Sequence, residues 1–119
     1  SPYTYNSLAL CYMELGNLSR SIPLFKHFLE LIETCEAHHE LARCLYETKE
    51  YIEGAVHATR AIEMEPQRAL LYITRSDIYE AMGFAELSKE DLATVLRVDP
   101  YFHQPYLEEA ERLENANQY

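Results

Sequence analysis

AIEMEPQRALLY, residues 61–72, and VLRVDPYFHQPY, residues 95–106, carry one phrase twice. Each opens on a small or branched apolar residue (Ala61, Val95) and passes an acidic residue before a proline (Glu65-Pro66, Asp99-Pro100). Each then reaches a tyrosine (Tyr72, Tyr106), and every matched pair lies 34 residues apart. Extended outward, the comparison becomes a full repeat. Tyr5, His38, Tyr72 and Tyr106 stand 33, 34 and 34 residues apart, and Ala9, Ala42, Ser76 and Ala110 keep those steps, as do Tyr12, Leu45, Tyr79 and Leu113. The other half of each unit holds Ser21, Gly54 and Ser88; then Phe25, Ala58 and Leu92; then Phe28, Ala61 and Val95; then Leu31, Met64 and Val98.

Within each unit the apolar columns step by three or four residues, the spacing of one helix face. The pattern breaks midway at Gly16-Asn17, Lys49-Glu50 and Gly83-Phe84, where glycine can take the left-handed conformation that closes a helix. Units end before Pro66 and Pro100, since the residue preceding proline is pushed out of helical geometry. Each unit is therefore two antiparallel helices. The spacing predicts helices over 2–15, 20–32, 36–48, 52–64, 69–82, 86–98 and 103–117. Repeat units then fall at 2–34, 35–68 and 69–102 of a single domain, 1–119, with 103–117 as a capping helix. Ser1-Pro2 reads as an N-cap and first helical residue. Pro23 is tolerable only if the second helix starts near Ser21 or bends there.

The small columns leave room for aromatic and aliphatic neighbours between helix axes, so a bulky residue at Ala42 should cost about 1–3 kcal/mol. One hairpin cannot bury both its faces, and about three must stack for stability.

Composition agrees. The chain has 119 residues, 48% apolar, with only 3 glycines and 5 prolines, too little turn material for many hairpins of strand. Twenty acidic against ten basic residues give a formal charge of −10, which disfavours nucleic acid and anionic membrane surfaces and favours a basic partner. No apolar run approaches the ~18 residues that span a bilayer, and no signal-peptide pattern opens the chain. The chain starts at Ser1 without a methionine, which reads as a domain excised from a longer protein. Cys11, Cys35 and Cys44 cannot all pair with one another and fall on helical faces, which reads as an intracellular protein, cytoplasmic or nuclear. Asn17-Leu18-Ser19 matches a glycosylation sequon by chance.

A unit of this length with these small and aromatic columns and a terminal proline resembles the tetratricopeptide repeat. The resemblance covers about residues 2 to 113 and is clearest in LARCLYETKEYIEGAVHATRAIEMEP, residues 41–66. It implies an all-α, right-handed α-solenoid of three antiparallel hairpins with a C-terminal capping helix, acting as a protein-binding scaffold or adaptor. Four positions depart from the family pattern. Arg75 and Glu109 replace a large apolar residue, Glu33 stands where the first unit should end in proline, and Gly54 replaces an alanine.

Catalytic constellations are missing from the sequence: no Gly-rich phosphate loop, no Gly-x-Ser-x-Gly elbow and no His-Glu-x-x-His. The chain reads as no enzyme and as needing no cofactor. ETCEAHHELARC, residues 33–44, concentrates Cys35, His38, His39 and Cys44, but the two cysteines lie ~13 Å apart along one helix. His38 also stands in the column of Tyr5, Tyr72 and Tyr106, so the cluster reads as packing and not as a metal site.

The resemblance implies that the first helix of each unit lines a concave surface. Matching columns place Tyr3, Asn6, Ser7, Leu10 and Met13 there, then Glu40 and Thr74, then Leu107 and Glu108. The expected partner contacts are His39, Arg43, Tyr46, Leu70, Ile73 and Asp77. Tyr46, Leu70 and Ile73 would accept an apolar anchor from a peptide or helix, and Arg43 a carboxylate. The family's clamp for chaperone-tail carboxylates lacks its cations here, with Glu40 or Glu108 in its columns. A rival expectation is an architectural role, with the domain packing within a larger complex, against its own full-length chain or on itself, or serving as accessory domain of an enzyme. Glu108, Glu111 and Glu114 would make the capping helix polar outside.

Overall fold

The computed structural model describes residues 1–101 and 112. Among these, the regular elements are six helices: α1 (Tyr3–Glu14), α2 (Leu18–Leu31), α3 (Cys35–Glu47), α4 (Tyr51–Met64), α5 (Ala69–Ala81) and α6 (Ala85–Val98). All six agree with the periodicity to within two residues at each end. The expected capping helix over 103–117 lies outside the described residues.

The turn inside each hairpin is the same hydrogen-bonded stop made three times. The N–H of Asn17 donates to the carbonyl of Tyr12 (2.8 Å) and that of Gly16 to Met13 (3.0 Å). Glu50 and Lys49 repeat this onto Leu45 (2.8 Å) and Tyr46 (3.1 Å), and Phe84 and Gly83 onto Tyr79 (2.8 Å) and Glu80 (3.0 Å). The pattern requires a left-handed residue at its pivot. Gly16 (φ 78°) and Gly83 (φ 84°) supply it freely, whereas Lys49 (φ 65°) takes it with a side chain attached.

Between units the chain leaves the helix through an extended residue: Ile32 (φ −141°, ψ 123°), Glu65 (φ −139°, ψ 78°) and Asp99 (φ −147°, ψ 84°). The last two precede prolines. Ile32 does the same without one, so the missing proline at Glu33 costs the first unit nothing in geometry. Glu33 instead bridges to Arg60 (2.6 and 2.9 Å) and accepts from His38 Nε2 (2.9 Å). Arg60 and His38 together hold the Glu33 carboxyl down at about 2.

Pro23 removes one of the two options its sequence leaves open. Helix α2 starts at Leu18, not near Ser21, so Pro23 lies in its second turn. Pro23 is exposed, and so is Ser19, whose carbonyl loses the bond proline cannot donate and can turn to water. At the start of the chain, Ser1 Oγ does accept from the Tyr3 N–H (3.3 Å), as an N-cap would.

The small columns sit where helices cross. Ala9, Ala42, Ser76, Ser21, Gly54 and Ser88 are all buried. Ser21 Oγ donates to the Ala9 carbonyl (2.8 Å) across the first hairpin, so even a polar member of the column is satisfied by its close approach. Phe25, Phe28, Leu41, Leu45, Leu71 and Ile78 fill the space alongside. The unexpected Arg75 is also accounted for: it forms a two-pronged ion pair with Asp91 (2.9 and 2.7 Å) and donates to Thr59 (3.2 Å).

Hairpins stack in chain order, α2 against α3 and α4 against α5. Every connection reverses direction, so α1, α3 and α5 run parallel to one another. α3 and α5 approach each other closely, and no comparable approach joins α4 to α6. Across the second and third units the stack therefore curves toward the layer of α3 and α5.

Candidate functional site: the inner face

On the middle helix of the inner layer, α3, eight residues are buried, and the stripe left over is Glu36, Glu40, Arg43, Tyr46 and Glu47. The same columns on α5 hold Leu70, Thr74, Asp77, Glu80 and Ala81, and on α1 Tyr3, Ser7, Leu10, Met13 and Glu14. The α3 and α5 stripes lie side by side and are open to solvent apart from Thr74, which is buried against His39, while Leu10 and Met13 of α1 lean on the core of the first hairpin.

Four of the expected contact residues lie on this face with solvent access. Leu70 is 41% and Tyr46 38% exposed, and Arg43 and Asp77 are exposed as well. Tyr46 leans on Tyr51 of α4 with ring centroids 6.0 Å apart, which fixes the ring's position without covering it. Arg43 donates to Glu40 (3.1 Å), whose half-buried carboxyl is pushed upward by burial, an effect Arg43 opposes. The Asp77 carboxyl is raised too, first by burial and then by the charge of Glu80.

Ile73 is only partly accessible and leans on the core beneath α5. His39 departs from the expectation altogether. It is 2% exposed and its Nε2 meets Thr74 Oγ1 at 2.8 Å, so it ties α3 to α5 below the surface. The physical reason is register: one residue's rotation separates the free Glu40 column from the His39 column, which points into the seam between inner helices. Burial, reinforced by the charge of Arg43, lowers the His39 pKa to about 4. Leu107 and Glu108 lie outside the described residues.

The Cys/His group is dispersed. The Cys35 thiol lies 3.4 Å from the Ala61 carbonyl and is pushed up to about 12, chiefly by burial. Cys44 Sγ lies 3.8 Å from Ser21 Oγ. His38 turns toward α4, with its Nδ1 3.0 Å from that of His57. Each side chain faces a different neighbour. Burial also lowers the His57 pKa, with help from His38.

A charged rim was not anticipated. Glu14 and Glu47 are the last residues of α1 and α3, and Glu80 the last but one of α5, so three inner helices end in carboxylates along one edge of the face. The signal was available in the sequence, as an acidic residue shortly before each of Gly16, Lys49 and Gly83.

Residues 2–35 match the family model described as tetratricopeptide repeat. A search of curated proteins returns no significant match. Among solved structures, the chain is similar to MamA, with TM-score 0.84 and 23% identity over 89% of this chain and 63% of that one. It is similar also to MamA from AMB-1, with TM-score 0.81 and 17% identity over 85% and 56%. This chain thus spans about three-fifths of the length of the MamA chains. A third similar structure is the second tetratricopeptide domain of Spaghetti (RPAP3) bound to the HSP90 peptide SRMEEVD. It shows TM-score 0.77 and 16% identity, covering 82% of this chain and 92% of that one. Among the described residues no helix is long and apolar enough to cross a membrane.

Proposed function

We propose that this chain, whose residues 2–35 match a tetratricopeptide repeat and whose fold is that of tetratricopeptide-repeat structures, binds a segment of another protein on its inner face and catalyses nothing itself. The observation that carries this reading is the exposed stripe of α3 and α5. Its exposed Leu70 and Tyr46 offer apolar contact on rigid helices, beside Arg43 and Asp77, which can set the orientation of a bound chain. Side chains on helices packed from behind are already ordered, so little conformational entropy is lost when a ligand arrives.

The peptide in the Spaghetti structure ends Glu-Glu-Val-Asp. A tail of that charge would meet Glu14, Glu47, Asp77 and Glu80 here with Arg43 as the one cation of the stripes, already engaged by Glu40. This domain is therefore proposed not to take acidic tails.

Arg43→Glu and Leu70→Asp each place a wrong charge on the exposed stripe without touching the core. Each should abolish capture of the partner obtained by affinity purification on the wild-type domain, while far-ultraviolet circular dichroism stays unchanged. Undiminished capture by both variants would remove the inner face as the binding site.

A second reading is favoured by the end of the described stack. Leu92 and Leu96 on α6 are 45% and 43% exposed, although the same columns on α4 hold Ala58 and Ile62 at 1% and 8% beneath α5. An architectural role through end-on packing would use that surface. Light scattering of the wild type and of a Leu92→Lys/Leu96→Lys variant, at several concentrations, separates the two readings, since only end-on association responds.

A further inference from the structure

His38 and His57 face each other from α3 and α4 across the second hairpin, with their Nδ1 atoms 3.0 Å apart. Their ring centres lie 5.2 Å apart and their planes 28° from parallel, so the rings meet nearly edge to edge through one hydrogen bond. Which nitrogen donates is decided on the far side of His38. Its Nε2 lies 2.9 Å from Glu33 Oε1, and Arg60 and His38 hold that carboxyl well below the usual carboxylate range. A carboxylate only accepts, so a proton sits on His38 Nε2, and the Nδ1 of the neutral ring is bare. The proton between the rings then belongs to His57 Nδ1, and His57 Nε2 is left as the bare nitrogen of the pair.

That nitrogen has Glu53 Oε1 4.0 Å away, beyond hydrogen-bond reach. No buried side-chain nitrogen or oxygen among the described residues lacks a hydrogen-bond partner, so this unbonded one is in reach of solvent. A cleft of about 420 Å³ opens beside it, lined by His38, Val56, His57, Arg60 and Glu63 among others.

The closed pair has room for one added proton. It goes to His57 Nε2, on the side of Glu53, and the bond between the rings persists. A second can go only to His38 Nδ1, where it would set the N–H groups of two cations against each other at a distance meant for a donor and an acceptor. The carboxylates at the two ends of the pair already have cations: Glu33 meets Arg60 (2.6 Å) and Glu53 meets Lys26 (2.8 Å), while Glu63 lies 3.9 Å from Arg60. Burial, then the charge of His38, keeps the His57 pKa below its ordinary 6.5, with Glu53 opposing and Lys26 adding to the effect.

The geometry points to a proton-operated latch: His38 and His57 hold α3 to α4 while the pair carries no more than one added proton, and acid parts them. The latch lies at the joint of the first two units, since Lys26 on α2 and Glu33 before α3 both bridge onto α4 beside it. None of its residues belongs to the inner stripe, so its test stands apart from that of the binding face.

Nitrogen–proton correlation spectra of the histidine rings, recorded from about pH 8 to about pH 5, test the donor order. At the alkaline end His57 should carry its proton on Nδ1 and His38 on Nε2. On acidification His57 Nε2 should protonate first, below pH 6.5. Backbone hydrogen exchange, corrected for its intrinsic pH dependence, reads the opening. A His39→Gln background removes the other buried imidazole of α3. There, acid should raise exchange across α3 and α4 by about tenfold. His38→Tyr, which installs the residue of the column mates Tyr5 and Tyr72, and His57→Gln, which bonds without titrating, should each cut that rise to about twofold or less. Should His38→Tyr fail to fold, His57→Gln decides alone. A His57 proton on Nε2 at the alkaline end overturns the donor order, and an acid response undiminished in the folded variants overturns the latch.

Discussion

Removing Asp91 asks how much of the third unit hangs on one polar contact. The Arg75 guanidinium lies 5.9 Å from the Tyr72 ring centroid and 5.4 Å from that of Tyr79, and its side chain is 18% exposed against 5% for Asp91. Three of its nitrogens are engaged, two by Asp91 and one by Thr59. Asp91→Ala leaves a cation in this seam with a hydroxyl and two ring faces. Breaking a buried pair from one side costs about 3–5 kcal/mol, and because Arg75 keeps Thr59 and some reach to water the lower end, about 3 kcal/mol, applies. For a domain of this size that lowers the melting temperature by roughly 10 °C. Urea unfolding followed by circular dichroism measures it. Arg75→Leu/Asp91→Leu removes both partners and gives Arg75 the residue type of its column mates Leu8 and Leu41. The double variant should return to within about 1.5 kcal/mol of wild type. A cost below about 1 kcal/mol for Asp91→Ala would refute the claim that the pair is buried and mutually dependent. A double variant as unstable as the sum of its singles would refute the coupling.

Three further outcomes are expected from the same unfolding measurements. Gly54→Ala should stabilise by about 0.5–1 kcal/mol, because an added Cβ would meet Ile78 Cδ1 at 3.4 Å and Leu45 Cβ at 3.5 Å, ordinary contact, while the helix gains a better former; a loss would mean the crossing is tighter than it looks. Lys49→Gly should add about 1 kcal/mol by relieving the left-handed pivot at φ 65°, and no change would show that the turn carries no strain. His39 is held neutral in the fold with its pKa lowered to about 4 from 6.5, so below pH 6.5 the unfolded chain binds a proton that the folded one refuses. Stability should therefore fall with pH between about 6.5 and 4, by about 3 kcal/mol in all, and His39→Gln should flatten that slope; an unchanged slope would assign the acid sensitivity elsewhere.

The fold was legible because its rules are local and stated three times. Helix faces, the Gly16 and Gly83 pivots and the small columns each announce themselves at a fixed step, and a single violation such as Lys49 is outvoted by its column. The inner face was less legible. Arg43, Tyr46, Leu70 and Asp77 emerged from column matching, but His39 did not behave as placed. One step along a helix turns a side chain by about 100°, and the border between seam and open face is narrower than that. Pro23 left two options open for a related reason: an exposed carbonyl can turn to water, so proline in the second turn is less disruptive than its propensity suggests. Arg75 looked like a defect because its partner Asp91 lies on the next helix, and pairings between helices leave no mark in a periodic pattern.

The two layers are held together by different contacts. Where inner helices touch, as α3 and α5 do through His39 and Thr74, short side chains suffice and the seam is closed. Outer helices stand further apart, and the gaps are crossed by long partners such as Lys26 with Glu53 and Arg60 with Glu33. Each of those spans consumes a basic residue, and the chain has only ten of them against twenty acids. Among the described residues Glu14, Glu47, Asp77 and Glu80 of the inner helices stay without a cation, and so does Glu90 on α6.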